Sequence, residues 1–137
     1  MRSSSRHVIV FALFCVFGVG AVSSSGASSP ARQEAVVYLQ EPTLIGSTRV
    51  QGAVAFIHDE AKMARGEPCT MVQSLARGKV PVTVASFHCI PVRRPVVSVF
   101  TLTTLPNLDG GLGCVLVEYQ FASDTVGHGV PGIANAH

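Results

Sequence analysis

Charged residues are scarce in this sequence. They make up 13% of its 137 residues, and the formal net charge is only +2. A protein that captures nucleic acid through a basic surface needs a much larger excess of Lys and Arg. The low charge therefore argues against that class of partner, and we expect no nucleic acid to bind. The hydrophobic share of 47% likewise excludes a disordered chain.

The sequence also lacks the short motifs of common catalytic and cofactor sites. It contains no G-x-S-x-G, no phosphate-binding glycine loop, no C-x-x-C, no H-E-x-x-H and no C-x-x-C-H for covalent haem. A blue-copper site is not indicated either, because no His or Met closely follows Cys114. An enzyme is therefore the less favoured interpretation, and we predict no catalytic residue.

The longest hydrophobic run falls short of a membrane span. It covers Val8–Val22, which is 15 residues, whereas a bilayer core takes about 20. Arg2 and Arg6 precede it and small residues follow it, as in a secretory signal peptide. We predict a signal peptide at 1–27 and export to the periplasm or the extracellular space. Membrane contact is expected only if this segment is retained.

Beyond that segment, hydrophobic residues alternate with a period of two. The alternating runs cover 35–40, 50–58, 70–76, 80–90, 96–104 and 113–121. Val, Thr, Phe and Tyr dominate these runs, and Pro and Gly separate them, which is typical of strands. We predict an all-β domain at 35–127, a small antiparallel β-sandwich or barrel of about six or seven strands. A linker at 28–34 precedes this domain and a flexible tail at 128–137 follows it.

The segment Asp59–Arg65 is the exception to this pattern. Its Ala, Lys, Met and Arg residues favour a helical turn, and Gly66 is placed to cap it.

Cys69 and Cys89 are expected to face each other across a hairpin. If Gly78–Val80 forms a three-residue loop, these cysteines fall on opposite positions of the two strands. In an exported protein such a pair favours a disulfide, worth about 3 kcal/mol for a loop of about 20 residues. We predict this disulfide, and the alternative is a pair of thiols that bind metal. Cys114 is then an odd thiol, most simply a small buried hydrophobic residue.

Several chemically reactive residues should gather at one end of the domain. If consecutive strands are antiparallel, that end receives His58, His88, His128, Cys69 and Cys89, of which the histidines with Cys69 or Cys89 are candidate metal ligands. Imidazole and thiolate ligands suit zinc or copper, although the spacing of these residues matches no metal motif. The same end holds the charged residues of a candidate binding surface: Asp59, Glu60, Glu67, Arg93 and Arg94.

Four strings resemble a family of small exported bacterial proteins. They are Met63–Thr70 (MARGEPCT), Phe87–Cys89 (FHC), Tyr119–Phe121 (YQF) and Gly127–Gly129 (GHG). The resemblance extends over residues 35–131 and implies export, but it brings no activity, cofactor or substrate. The strings contain several of the residues expected at the shared end.

Three functions remain open on this basis. The first, which we favour from the sequence, is a non-catalytic β-domain acting as a binding or envelope-associated module for an unknown protein or small molecule, with no cofactor. The second is a metal-binding (zinc or copper) or redox protein that uses the His/Cys cluster. A catalytic role at the same end, with Cys69 as nucleophile, is a weaker third, because it requires a reduced thiol of low pKa.

Overall fold

The computed structural model describes residues 31–109 and 111–132, so the signal peptide predicted at 1–27 lies outside the described residues. The described chain forms β1 (Arg32–Ile45), β2 (Thr48–Asp59), α1 (Glu60–Ala64), β3 (Thr70–Ser74), β4 (Val82–Phe87), β5 (Ile90–Arg93), β6 (Thr101–Pro106), β7 (Cys114–Gln120) and β8 (Val126–Gly129). The predicted small all-β fold is confirmed. Among the described residues, no helix has the length and apolar character needed to cross a membrane.

The strands form one curled sheet in the order β4-β3-β2-β1-β7-β8-β5, with β6 also paired to β7. Neighbouring strands are antiparallel except β1 and β7, which run parallel with Thr43 opposite Cys114. Strand β4 lies at one end of this order and β5 at the other, yet only His88 and Cys89 separate them in the chain. A connection this short spans at most about 11 Å. The two ends of the sheet must therefore approach each other at these two residues.

An aromatic cluster fills the interior of the curl. Phe56, Phe100, Tyr119 and Phe121 lie with ring centroids 5.2 to 6.2 Å apart. Three of the four are buried, and Phe100 packs against the core as a partly buried residue. Fully burying a side chain of this size stabilises the fold by about 1.5–3 kcal/mol. This core fixes Tyr119 beside His128.

The domain is wider than predicted, and two of its strands were not expected. It begins at Arg32 rather than 35, and His128 lies within β8 rather than in a tail. The run 80–90 contains β4 and only the first residue of β5, because the chain leaves β4 at His88. The last predicted strand also differs in direction from our expectation. We expected it to run with 50–58, whereas β7 runs parallel to β1 and hence opposite to β2.

The β3–β4 hairpin differs by one residue from the predicted register. Thr70 pairs with Phe87, and Met71 pairs with Ser86 rather than with Phe87. Gly78 adopts a φ of 71° in the turn, a conformation that favours glycine. Because of this offset, Cys69 and Cys89 are not a cross-strand pair, and both lie just beyond the paired residues.

The predicted helical turn is confirmed as α1. The Asp59 carboxylate accepts hydrogen bonds from the backbone N–H groups of Ala61 and Lys62 at 2.9 and 3.1 Å. The bond from Lys62, and then that from Ala61, lowers the pKa of Asp59. Gly66 follows the C-cap with a φ of 71°, as expected for a glycine that ends a helix. The helix thus connects the end of β2, which carries His58, to the segment that carries Cys69.

Candidate metal centre

Two histidines and two cysteines meet in the interior of the domain. His58 lies on β2 and His128 on β8, while Cys69 precedes β3 and Cys89 connects β4 to β5. All four are buried, and the most exposed of them, Cys89, retains 7% of its surface. The fold therefore collects four metal-binding side chains from well-separated parts of the sequence.

The sulfur of Cys89 contacts the other three donors. It lies 3.3 Å from Cys69 Sγ, 3.5 Å from His58 Nε2 and 3.4 Å from His128 Nδ1. The donor atoms of His58, Cys69 and Cys89 all lie within 4.8 Å of one another. In tetrahedral zinc sites the bond lengths place S and N about 3.5 Å apart and two S atoms about 3.8 Å apart. Both sulfur–nitrogen distances agree with that geometry, and the sulfurs are slightly closer.

The two imidazoles are held by packing. Their ring centroids lie 4.3 Å apart, and His128 stacks on Tyr119 at 4.8 Å with an interplanar angle of 17°. The Tyr119 hydroxyl in turn hydrogen-bonds to the hydroxyl of Thr70, the residue after Cys69. The stacking on Tyr119 therefore restrains His128, and the hydrogen bond to Thr70 links Tyr119 to the residue beside Cys69.

Each histidine keeps one nitrogen without a partner. Within the described part of the chain, His58 Nδ1 and His128 Nε2 are buried and form no hydrogen bond. An unpaired buried polar group costs about 1–3 kcal/mol, so such atoms are rare in folded proteins. Here two such atoms belong to neighbouring rings whose centroids lie 4.3 Å apart.

Burial keeps the metal-free cluster uncharged. Desolvation first, and then the neighbouring His58, lower the pKa of His128 to about 4. Desolvation also lowers the pKa of His58 against the opposing effect of nearby carboxylates, Glu60 first. It raises the pKa of Cys89 to about 12, with Cys69 adding to the shift. Deprotonated sulfurs in this interior therefore need a cation to balance them.

The predicted Cys69–Cys89 disulfide is not present between these two described residues. Their sulfurs lie 3.3 Å apart, whereas a disulfide bond is about 2.05 Å long. The register offset removes the cross-strand pairing on which the prediction rested, and the two cysteines meet instead just beyond the paired residues. The backbone N–H of Cys89 instead donates to Cys69 Sγ at 3.3 Å. The cysteines are close, as predicted, but as thiols.

Two residues named from the sequence lie outside the cluster. His88 is exposed, because it precedes Cys89 and successive residues of an extended chain point to opposite sides. Cys114 is only partly buried, with its sulfur 3.4 Å from the Thr43 hydroxyl. The group that the structure brings together is therefore His58, Cys69 and Cys89, with His128 in contact with Cys89, and it does not include His88.

Charged residues of the candidate binding surface are largely engaged within the molecule. Beyond Asp59, which caps α1, Glu67 accepts two hydrogen bonds from Arg65 at 3.0 and 3.2 Å. Arg94 makes a similar pair with Glu118 at 2.9 and 2.8 Å. Three of the five charged residues named from the sequence are thus engaged in contacts within the molecule.

The remaining two members of that set differ from each other. Arg93 is exposed on β5. Glu60 lies at the start of α1, with its Oε1 3.8 Å from His58 Nδ1. Glu60 is thus the acidic residue nearest to an unpartnered nitrogen of the cluster.

Sequence reasoning did not single out Tyr119 or Thr70. Both belong to strings that carried the family resemblance, YQF and MARGEPCT, which was the available signal. Their role depends on a stacking contact and a hydrogen bond between distant strands, which no local pattern reveals.

Comparisons with protein-family models, with curated protein sequences and with solved structures give no match. The resemblance to small exported bacterial proteins stays a prediction. Functional inference therefore depends on the geometry and chemistry of the cluster.

Proposed function

We propose that this protein binds one zinc ion through His58, Cys69, Cys89 and His128. The supporting observation is that Cys89 Sγ lies 3.3 Å from Cys69 Sγ, 3.5 Å from His58 Nε2 and 3.4 Å from His128 Nδ1, and that the donor atoms of His58, Cys69 and Cys89 all lie within 4.8 Å of one another. Zinc favours this Cys₂His₂ donor set, and structural zinc sites use four protein ligands with no open position. The burial of all four residues suits such a closed site.

Charge balance supports zinc on independent grounds. Binding of Zn²⁺ displaces the protons of Cys69 and Cys89, so the complex of one dication with two thiolates is neutral. No net charge is then buried, and the raised pKa of Cys89 is overcome by the metal itself. Each imidazole can bind through the nitrogen that faces Cys89 and keep a proton on the other.

Copper(I) is the competing metal, because thiolates are soft ligands that also select it. A single Cu⁺ with two thiolates would leave one negative charge in the same dehydrated interior. That charge is costly unless a cation pairs with it. The basic side chain of Arg94 is already paired with Glu118. We therefore favour zinc.

Metal titration of the full-length chain, purified without a histidine tag under reducing conditions, tests the proposal. We expect one zinc per chain in competition with a chromophoric chelator. Co²⁺ substitution should give the visible spectrum of a tetrahedral site with sulfur-to-cobalt charge transfer. Cys89→Ser and His128→Ala should each abolish stoichiometric binding.

His88→Ala is the matched control, since His88 is a nearby histidine outside the cluster. It should bind zinc like the unsubstituted chain. A reduced chain that takes up neither Zn²⁺ nor Co²⁺ would reject the proposal, as would a His88→Ala defect equal to that of His128→Ala. Stoichiometric Cu⁺ binding without zinc binding would replace zinc by copper.

A further inference from the structure

The cysteines and histidines of the cluster occupy different kinds of backbone position. His58 pairs with Gln33 and Thr70 within the sheet, and His128 lies on β8 in the same way. Cys69 and Cys89 lie outside the strands, although the Cys69 carbonyl accepts one hydrogen bond from Asp59 N–H. The histidines are thus fixed by sheet pairing on both sides, whereas the cysteines lie outside the paired strands.

The distance between the sulfurs lies between the values of two chemical states. It is 3.3 Å here. Two thiolates on one zinc ion are about 3.8 Å apart, and a disulfide is about 2.05 Å long. The pair therefore reaches the zinc geometry by opening about 0.5 Å, and the disulfide by closing about 1.2 Å. Both movements are small, and both involve the two cysteines, which lie outside the paired strands.

We propose that the site is a redox-controlled zinc site in which a peroxide converts Cys69 and Cys89 into a disulfide and releases the metal. This inference rests on the proposed zinc binding. The sequence left open whether Cys69 and Cys89 form a disulfide or bind metal. In this inference the same two sulfurs bind zinc under reducing conditions and form a disulfide under oxidising conditions. Disulfide sulfurs are poor zinc ligands, so only His58 and His128 would remain, which is too few for a closed site.

The oxidation proceeds in two balanced steps. Cys89, the more exposed cysteine, attacks one peroxide oxygen; the O–O bond breaks, hydroxide leaves and a sulfenic acid forms. The sulfur of Cys69 then attacks the Cys89 sulfur; the S–S bond forms, and the S–O bond breaks to release a second hydroxide. Two thiolates have then lost two electrons in total to one peroxide, and solvent protons convert both hydroxides to water.

Peroxide titration of the zinc-loaded full-length chain tests this inference. Cys15→Ser and Cys114→Ser remove the other two cysteines, so any intramolecular disulfide must join Cys69 to Cys89. We expect one zinc released for each disulfide formed, followed by a chromophoric chelator and by intact mass after thiol alkylation. Reduction with dithiothreitol should restore zinc binding. Peptide mapping of the unsubstituted chain gives the same assignment if the double variant folds poorly.

The outcomes separate this inference from the proposed function. Retained zinc with unreacted thiols, retained zinc despite a disulfide, or zinc release with sulfinic acid and no disulfide would each overturn the redox inference and leave zinc binding intact. A reduced chain that binds no zinc at all would overturn the proposed function, and the inference would fail with it.

Discussion

At the scale of single residues, Glu60 lies beside His58 Nδ1, the ring nitrogen that has no hydrogen-bond partner among the described residues. His58 Nδ1 is buried without a partner, and Glu60 Oε1 lies 3.8 Å away on a half-exposed side chain that is able to move closer. Metal-binding histidines usually donate their second N–H to a carboxylate or carbonyl, which fixes the ring and raises its basicity. Glu60 is therefore a positioning residue for the proposed zinc site.

Replacement of Glu60 tests this role. Glu60→Ala should weaken zinc binding about 10-fold, because loss of such a partner typically costs 10–100-fold in affinity. Glu60→Gln should recover part of the loss, since its amide oxygen still accepts a hydrogen bond. Competition titration measures both values. The exposed Glu34 on β1 provides the control, and equal affinities for Glu34→Gln and Glu60→Ala would contradict the prediction.

The two tyrosines of the chain offer a matched pair for the hydroxyl contact beside the cluster. Tyr119 is fully buried and hydrogen-bonded to Thr70, whereas Tyr38 is 70% exposed. Tyr119→Phe should lower the free energy of unfolding by about 1–3 kcal/mol, because the Thr70 hydroxyl loses its buried partner. Tyr38→Phe should change it by less than about 0.5 kcal/mol. Urea denaturation measures both, and similar midpoints for the two variants would show that the contact contributes little.

At this scale the sequence could predict residue types better than orientations. His58, Cys69, Cys89 and His128 are all recognisable as potential ligands. His88 was equally plausible by type, but it adjoins Cys89 and the two residues point to opposite sides. Which of the two faces inward depends on where the chain leaves β4, and that depends on tertiary packing.

At the scale of elements, the junction of β1 and β7 depends on Gly113. This residue has a φ of 94°, and an added Cβ would overlap the carbonyl oxygen of Pro42. Gly46, in the turn between β1 and β2, also has a positive φ of 61° but has open space around a Cβ. Both positions thus have a positive φ that favours glycine, but only Gly113 lacks space for a side chain.

Alanine substitution at these two glycines separates the effects. Gly46→Ala should cost about 1 kcal/mol of folding stability, the typical penalty for a left-handed conformation. Gly113→Ala should cost about 1–3 kcal/mol more, because the backbone of β1 must shift to admit the methyl group. Thermal or urea denaturation provides the comparison. Equal losses at both sites would mean that the β1–β7 approach is easily relaxed.

Elements with strong local patterns were predictable, and those defined by distant pairing were not. The alternation in β1 and the capping residues of α1 depend on neighbouring residues, and the structure confirms them. In β2 the alternation does not persist, because residues 54–58 are all buried. Strands β5 and β8 are four residues long and contain Pro91, Gly127 and Gly129, residues that are depleted in strands. They form because β5 pairs with β8, and β8 also pairs with β7.

At the scale of the whole molecule, the buried histidines make the metal-free protein sensitive to acid. In the unfolded chain the pKa of His128 has its ordinary value of about 6.5. In the folded protein, burial lowers this pKa to about 4. The unfolded state therefore binds more protons between these values, and folding stability falls as the pH is lowered through that range. His58, shifted in the same direction, adds to the effect.

Urea denaturation in the presence of a zinc chelator tests this pH dependence. We expect the free energy of unfolding to fall by about 2 kcal/mol between pH 6.5 and pH 4 on account of His128. His128→Gln should flatten the profile, since its side chain does not titrate. A profile of the same slope in both proteins would assign the acid sensitivity to other groups.

The site as a whole came together by a route different from the predicted one. Consecutive antiparallel strands were expected to bring His128 to the cluster directly after a last strand that runs in the same direction as 50–58. Instead β7 runs in the other direction, and the additional strand β8 returns the chain to the cluster. The parallel pairing of Thr43 with Cys114 joins residues far apart in sequence, so no local pattern could have shown it.

The order of the ligands along the chain has a consequence for biosynthesis. His58, Cys69 and Cys89 are made together with the hairpins that carry them, whereas His128 follows Cys89 by 39 residues. In a nascent chain the proposed zinc site therefore stays incomplete until β8 has been made. During that interval we expect the two sulfurs to be more accessible to metal and to oxidant than in the folded domain, where both are buried. Pairing of β8 would add the fourth proposed ligand.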